Sequence, residues 1–197
     1  ELNENGKSYS VVGIGNCTLN EIYIPNQYNG LPVVEIKDYA FYRCNVFTTV
    51  VVSNSIRKIG EYAFSESTLQ TIVFEEKSSV ESIGKAAFER SKLISIIIPD
   101  RVMEIETETF NYCENLNSVV IPDNVISIKE YAFYHCKNLN SIIIRDDVEE
   151  IGKHTFGFCL NLNIYCEANS QPDDWDIEWN PNNRPVTWGY IIDGNEE

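Results

Sequence analysis

The sequence has little of what most catalytic and nucleic-acid-binding chains carry. It holds two histidines, His135 and His154, and one methionine. Lys and Arg number 15 against 30 Asp and Glu, a net charge of −15. Nucleic-acid binding needs a clustered basic patch, and the sequence has none. Electrostatic attachment to an anionic lipid surface is disfavoured for the same reason. No apolar run approaches the roughly 20 residues of a spanning helix, so direct membrane insertion is not expected. No Gly-rich phosphate loop, His-rich metal motif, Gly-x-Ser-x-Gly elbow or Ser/His/Asp set occurs. Scattered carboxylates do not substitute for a glycosidase pair, which needs two held about 5–9 Å apart in a cleft. The expectation is a protein that is not an enzyme, with no catalytic residue, no cofactor and no metal. The chain opens polar, Glu1-Leu2-Asn3-Glu4, without a signal peptide, which reads as a mature form or a piece of a longer protein.

What is present is a repeat. Phenylalanines stand at Phe41, Phe64, Phe88, Phe110, Phe133 and Phe156, with spacings of 23, 24, 22, 23 and 23. Five residues before each is an isoleucine: Ile36, Ile59, Ile83, Ile105, Ile128 and Ile151. Ala or Thr immediately precedes each of these six Phe. After each Phe comes a Val/Ile-rich block, as in Phe47-x-x-Val50-x-Val52 and Leu116-x-x-Val119-x-Ile121. Its β-branched composition predicts a short strand, broken by Pro99, Pro122 or Arg145-Asp146. The Ala-Phe segment is too short for a long helix and predicts a short helical or 3₁₀ turn. One unit of about 23 residues cannot bury its apolar face alone, but stacked units cover one another. The strands then form parallel rungs about 4.8 Å apart, from Ile22-Tyr23-Ile24 to Ile164-Tyr165-Cys166, and the Phe side chains stack along the opposite wall.

The unit fits the leucine-rich-repeat pattern L-x-x-L-x-L. More narrowly it resembles the BspA-like, or Treponema pallidum type, subclass, whose pattern is C-x-x-L-x-x-I-x-L-P-x-x-V-x-x-I-G-x-x-A-F. The run from Cys113 through Leu116, Val119, Ile121, Pro122, Val125 and Ile128 to Ala132-Phe133 follows it almost position for position. Ile59-Gly60, Ile83-Gly84 and Ile151-Gly152 supply the Ile-Gly step. The flanks, Tyr28-Asn29-Gly30-Leu31-Pro32-Val33 and the stretch from Trp175 to Tyr190, look like the caps of bacterial members. The asparagine ladder of other leucine-rich repeats is missing, since Arg101, Asn124 and Asp147 occupy its position, so functions tied to that ladder are not implied. The expected fold is an α/β solenoid, a leucine-rich-repeat right-handed superhelix. It would have one parallel sheet of about seven short strands, helical or 3₁₀ turns opposite, and irregular caps at both ends. Residues 1–35 would be the N-terminal cap with the first strand, 36–166 six repeats and 167–197 a Trp-rich C-terminal cap. The resemblance implies a secreted or surface-displayed bacterial or protozoal protein acting in adhesion. The implied partner is a host matrix protein or another cell's surface protein, with weak self-association as a further option. The competing expectation is a spacer that displays other domains.

Four of the six cysteines, Cys44, Cys113, Cys136 and Cys159, share one repeat position, where Ser67 and Ser91 stand in two other units. A position that accepts serine does not serve paired sulfurs. Buried, reduced, structural thiols are expected there. No C-x-x-C pair supports a metal site, and no third group would orient a Cys136–His154 nucleophile. Cys17 and Cys166 fall at opposite ends, too far apart to bridge. The run Asp174-x-Asp176-x-Glu178-x-Asn180 lacks the glycine and terminal glutamate of a calcium loop.

Strand alternation selects an outward parity. It carries a hydroxyl row, Thr49, Thr71, Ser95, Ser118 and Ser141, and an apolar row, Val51, Val73, Ile97, Val120 and Ile143. These ten are the candidate ligand face. The apolar row reads either as β-propensity alone or as a contact surface.

Overall fold

The computed structural model describes residues 1–191; the end of the expected C-terminal cap, 192–197, lies outside the described residues. The Val/Ile blocks form a front ladder of parallel strands, one per coil. Its rungs are Glu21–Ile24, Thr49–Val52, Thr71–Phe74, Ser95–Ile97 and Ser118–Val120 in one sheet, then Ser141–Ile144, Asn163–Cys166 and Val186–Trp188 in a second. Each rung alternates an inward residue with an outward one, as in the exposed-buried-exposed pattern of Ser118–Val120. The inward set, including Val50, Val52, Ile96, Ile98, Ile142 and Ile144, is fully or almost fully buried.

A second, narrower ladder runs along the adjacent side. Two-residue strands ending on the repeat isoleucine, such as Lys58–Ile59, Ser82–Ile83, Ser127–Ile128 and Glu150–Ile151, pair in parallel from coil to coil. At the N-terminal end this ladder begins with Tyr9–Val11 beside Leu31–Ile36. An antiparallel pairing of Gln27–Tyr28 with that strand closes through Asn29-Gly30, both at positive φ, the backbone a two-residue hairpin turn requires.

The wall that carries the phenylalanines is not helical, and the described residues contain no helix. The expected α/β solenoid with helical or 3₁₀ turns is therefore corrected to a β-solenoid. Hydrogen bonding gives the reason. In the Phe110 coil, the N–H groups of Thr109, Asn111 and Cys113 donate three residues back, to Glu106, Glu108 and Phe110, closing turns. The alternate N–H groups, of Glu108, Phe110 and Tyr112, donate to the next coil, to Glu130, Ala132 and Tyr134 at 2.8–3.0 Å. A 3₁₀ segment needs consecutive local bonds, and here every second donor leaves the coil. To aim those donors outward, the residues two before and two after each Phe take positive φ, between 52° and 63°. Tyr39 and Arg43, Tyr62 and Glu66, and Tyr131 and His135 are examples. Two such residues cost roughly 2–4 kcal/mol per coil. Three inter-coil bonds at about 1 kcal/mol each and a buried Phe at about 2–3 kcal/mol outweigh that.

The Phe side chains form one column. Rings from Phe41 through Phe64, Phe88, Phe110 and Phe133 to Phe156 stack at 5.0, 5.5, 5.5, 5.2 and 5.7 Å, within 16° of parallel. Trp179 ends the column edge-on to Phe156 at 5.7 Å, and Trp175 packs on Trp179. Both indoles are buried, with N–H donors satisfied by Val148 O and Gln171 Oε1 at 3.1 Å. His154 and Phe156 donate to Glu178 and Trp179, so the C-terminal segment continues the wall's bonding pattern.

The Ile-Gly step has a steric cause. A Cβ on Gly84 would lie 2.8 Å from Glu61 N, and one on Gly152 would lie 2.5 Å from Glu130 N and 2.9 Å from Lys129 C. The preceding coil's backbone already fills that space. Gly152→Ala is expected to cost about 1–3 kcal/mol, the usual range for overpacking. It should lower the denaturant midpoint without changing the m-value. Glu106→Ala, at the same repeat position in a coil without the glycine, should cost less than about 0.5 kcal/mol.

Candidate functional site

The strand register decides which outward residues become neighbours. Thr49, Thr71, Ser95 and Ser118 align on four consecutive rungs, while Ser141 aligns with Asn163 on the second sheet. The apolar row forms three pieces rather than one stripe. Val51 aligns with Val73, Ile97 with Val120, and Ile143 with Tyr165. No register pair joins Val73 to Ile97, and the ladder is interrupted between Val120 and Ile143. Eight of the ten candidate residues are exposed; Thr49 and Val51 are half-buried. Ile97 stands out furthest, with 69% of its surface in solvent.

Two tyrosines extend the row and were missed in the sequence reading. Tyr23 aligns with Val51 at one end, and Tyr165 follows Ile143 at the other. Tyr23 donates its hydroxyl to Glu75 Oε1 at 2.9 Å, two rungs away. Tyr165 packs at 4.9 Å against Tyr190. The signal was available, since Ile22-Tyr23-Ile24 and Ile164-Tyr165-Cys166 carry the same parity as the middle strands.

Outside this face the two histidines and the acidic run near the C-terminus pack against neighbouring groups of the chain, although the buried His135 Nδ1 has no hydrogen-bond partner among the described residues. His135 Nδ1 lies 3.7 Å from Glu114, and its ring stacks on Tyr112 at 4.4 Å. His154 lies 3.7 Å from Glu178, whose other contact is Lys153 at 2.6 Å. Asp176 Oδ1 caps the N–H of Glu178, and Asn180 Oδ1 that of Arg184. The acidic run at 174–180 thus spends these acceptors on its own backbone. Among the described residues, no His/Cys/Asp/Glu cluster suits a metal ion, and no helix is long and apolar enough to cross a membrane.

All six cysteines are free thiols. Cys113, Cys136 and Cys159 are buried and donate to the carbonyl of the preceding coil's Phe: Phe88 at 3.0 Å, Phe110 at 3.2 Å and Phe133 at 3.0 Å. Each carbonyl also accepts its own turn's N–H, so the thiol takes the second lone pair. Ser67 instead donates to Phe64 O in its own coil. Cys44 departs from the expected burial and is half-exposed, as is Cys17. Burial pushes the Cys113 and Cys166 thiols up to about 12, and raises Cys136 well above the usual range.

A stack of parallel-strand coils with an exposed strand face defines a β-solenoid repeat scaffold. Residues 34–163 match the profile of the BspA type leucine rich repeat region in six copies, and the chain belongs to that family. Three solved structures share the fold. A leucine rich cell surface protein from Faecalibacterium prausnitzii A2-165 is 26% identical over 88% of this chain and 54% of its own, with a TM-score of 0.61. The T. pallidum leucine rich repeat protein is 24% identical over 84% of this chain and 66% of its own, with a TM-score of 0.57. The pneumococcal vaccine antigen PcpA is 23% identical over 83% of this chain and 44% of its own, with a TM-score of 0.70. The chain thus spans about half the length of the first and third. No curated protein matches it.

The raised thiol pKa values carry a sign. A buried thiol stays neutral while its unfolded counterpart, near 8.5, ionises. Its contribution is therefore complete below about pH 8.5 and lost as pH rises toward the folded value of about 12 for Cys113. Raising the pH from 8 to about 10.5 should lower the unfolding midpoint. Cys113→Ser, which places the hydroxyl used at Ser67 and Ser91, should fold and show a smaller alkaline loss. Iodoacetamide should label Cys17 and Cys44 in the native protein and all six cysteines only after unfolding. Native labelling of Cys113 or Cys136 would contradict their placement.

Proposed function

We propose that the chain is a non-catalytic binding module of a secreted or cell-surface protein, engaging a protein ligand through the exposed strand face. The observation that carries this reading is the outward apolar row, with Val73, Ile97 and Val120 each about half or more exposed at 45%, 69% and 51%. Exposed β-branched residues on successive rungs, Ile97 in register with Val120 and Val73 across the splayed gap from Ile97, stand beside a hydroxyl row and lose little side-chain entropy on contact. Membership of the BspA-type family and the fold shared with a bacterial cell surface protein support the extracellular part of the reading. The ligand face comprises Thr49, Val51, Thr71, Val73, Ser95, Ile97, Ser118, Val120, Ser141 and Ile143, with Tyr23 and Tyr165 as its ends. The division into a cap at 1–35, repeats at 36–166 and a cap at 167–197 belongs to the same proposal.

The test is binding to a panel of immobilised extracellular-matrix and cell-surface proteins. The chain should capture at least one of them. A variant with Val73, Ile97 and Val120 all replaced by Lys should bind at least tenfold more weakly with an unchanged unfolding midpoint, since none of the three is buried. Binding that survives the triple replacement would remove the strand face from the account. A chain that captures nothing on the panel would favour the spacer.

A further inference from the structure

Within its first sheet the front ladder splays between the third and fourth rungs, and the sequence supplies the cause. In four coils three residues separate the last inward residue of the strand from the next core residue: Val52 to Ile56, Ile98 to Val102, Ile121 to Val125 and Ile144 to Val148. Between Phe74 and Val80 there are five, Glu75 to Ser79, with Lys77 at positive φ. The longer exit loop draws the end of the third rung aside. Thr71–Phe74 keeps all four register pairs with the strand before it but only Thr71–Ser95 with the strand after it. Phe74 is half-buried where Val52, Ile98, Ile121 and Ile144 are buried.

The result is a slot of about 560 Å³ across the middle of the strand face, floored by Ile72, Ile96 and Ile98 and flanked by Val73 and Ile97. At Asp100 and Arg101 it meets a second groove of about 580 Å³ that turns the corner between the two ladders. Met103 and Ile126 give this second groove an apolar floor, and its charged lining is five carboxylates against one base. Glu81 holds that base, Arg101, at 3.7 Å, and Arg145 holds Asp123 at 2.8 Å. Asp100, Asp147 and Glu149 have no basic partner among the described residues. An apolar slot continuous with an apolar-floored groove that holds three unpaired carboxylates among the described residues suits a ligand that is apolar at one point and cationic beside it. The net charge of −15 steers such a ligand inward and repels its acidic counterpart.

We propose that this trough docks an extended basic segment of a protein partner. An aliphatic or aromatic side chain sits in the splayed slot. Lys or Arg stems lie over Met103 with their charged ends toward Asp100, Asp147 and Glu149. The inference rests on the reading of the strand face as the contact surface, and it assigns the anchor point and the partner's charge within that face.

The experiment uses the synthetic peptide Lys-Leu-Lys-Phe-Lys-Val-Lys, with one control in which every Lys is Glu and another in which every apolar residue is Ser. Affinity is read by fluorescence anisotropy and location by amide chemical shifts. The basic apolar peptide should bind saturably and shift residues 71–78, 95–103 and 147–149. Both controls should bind at least tenfold more weakly. Ile97→Ser and Asp100→Lys, both at exposed positions, should each weaken binding at least tenfold without altering stability. Equal binding of the Glu control, or of the Ser control, would overturn the proposal, the latter by reducing it to plain charge attraction. Shifts running along Ile143 and Tyr165, with Ile97→Ser silent, would overturn the slot while leaving the strand-face reading intact. Shifts confined to the Phe wall would overturn both.

Discussion

The structure depends on one arrangement, the transfer of backbone hydrogen bonds from each coil to the next along the Phe wall. A chain that turns a corner must satisfy its buried N–H and C=O groups. Here alternate N–H groups close the turn and the rest are passed to the neighbouring coil. The pattern forces two residues per coil into left-handed backbone, which is unfavourable for non-glycine side chains. It persists because the same geometry places each Phe ring flat on the next. No coil can keep this backbone without a neighbour, so stability is a property of contacts between coils.

Several features of the sequence follow from that constraint. Glycine after isoleucine marks coils whose backbones approach too closely for a Cβ. At Cys113, Cys136, Cys159 and Ser67 the side chain three residues after the Phe is a small donor for a wall carbonyl with a spare lone pair. Burial keeps Cys113 protonated, which suits that donor role and removes it from redox chemistry. Tryptophan replaces phenylalanine at the end of the column because the last ring needs a broad cover with a polar edge to satisfy.

Much of this was legible in the sequence because a repeat multiplies each weak signal. The Phe column, the front strands and the outward parity of Thr71, Val73, Ser95 and Ile97 could be read from spacing and alternation alone. The wall's turn type could not. Residues such as Tyr62, Glu66 and His135 carry no compositional sign of positive φ, because the left-handed conformation is imposed by the next coil and not by local preference. The side ladder was also missed, since two-residue strands such as Ser82–Ile83 are too short to show alternation. The split of the apolar row traces to the two extra residues between Phe74 and Val80. The Phe spacing of 24 followed by 22 hides them, because the deviations cancel. The contact role proposed for the strand face is the least legible part, because β-branched residues serve a strand and an interface equally well.

Residue-resolved hydrogen exchange under native conditions tests the stacking most directly. The inter-coil donors Phe88, Phe110 and Phe133 should exchange only through global unfolding, with the same free energy as front-ladder amides of Ile96 and Val119. The terminal coils should exchange at lower free energy. Fast exchange at Phe88, Phe110 and Phe133 while the front ladder stays protected would show a wall that opens by itself, and would contradict an architecture held together by bonds between coils.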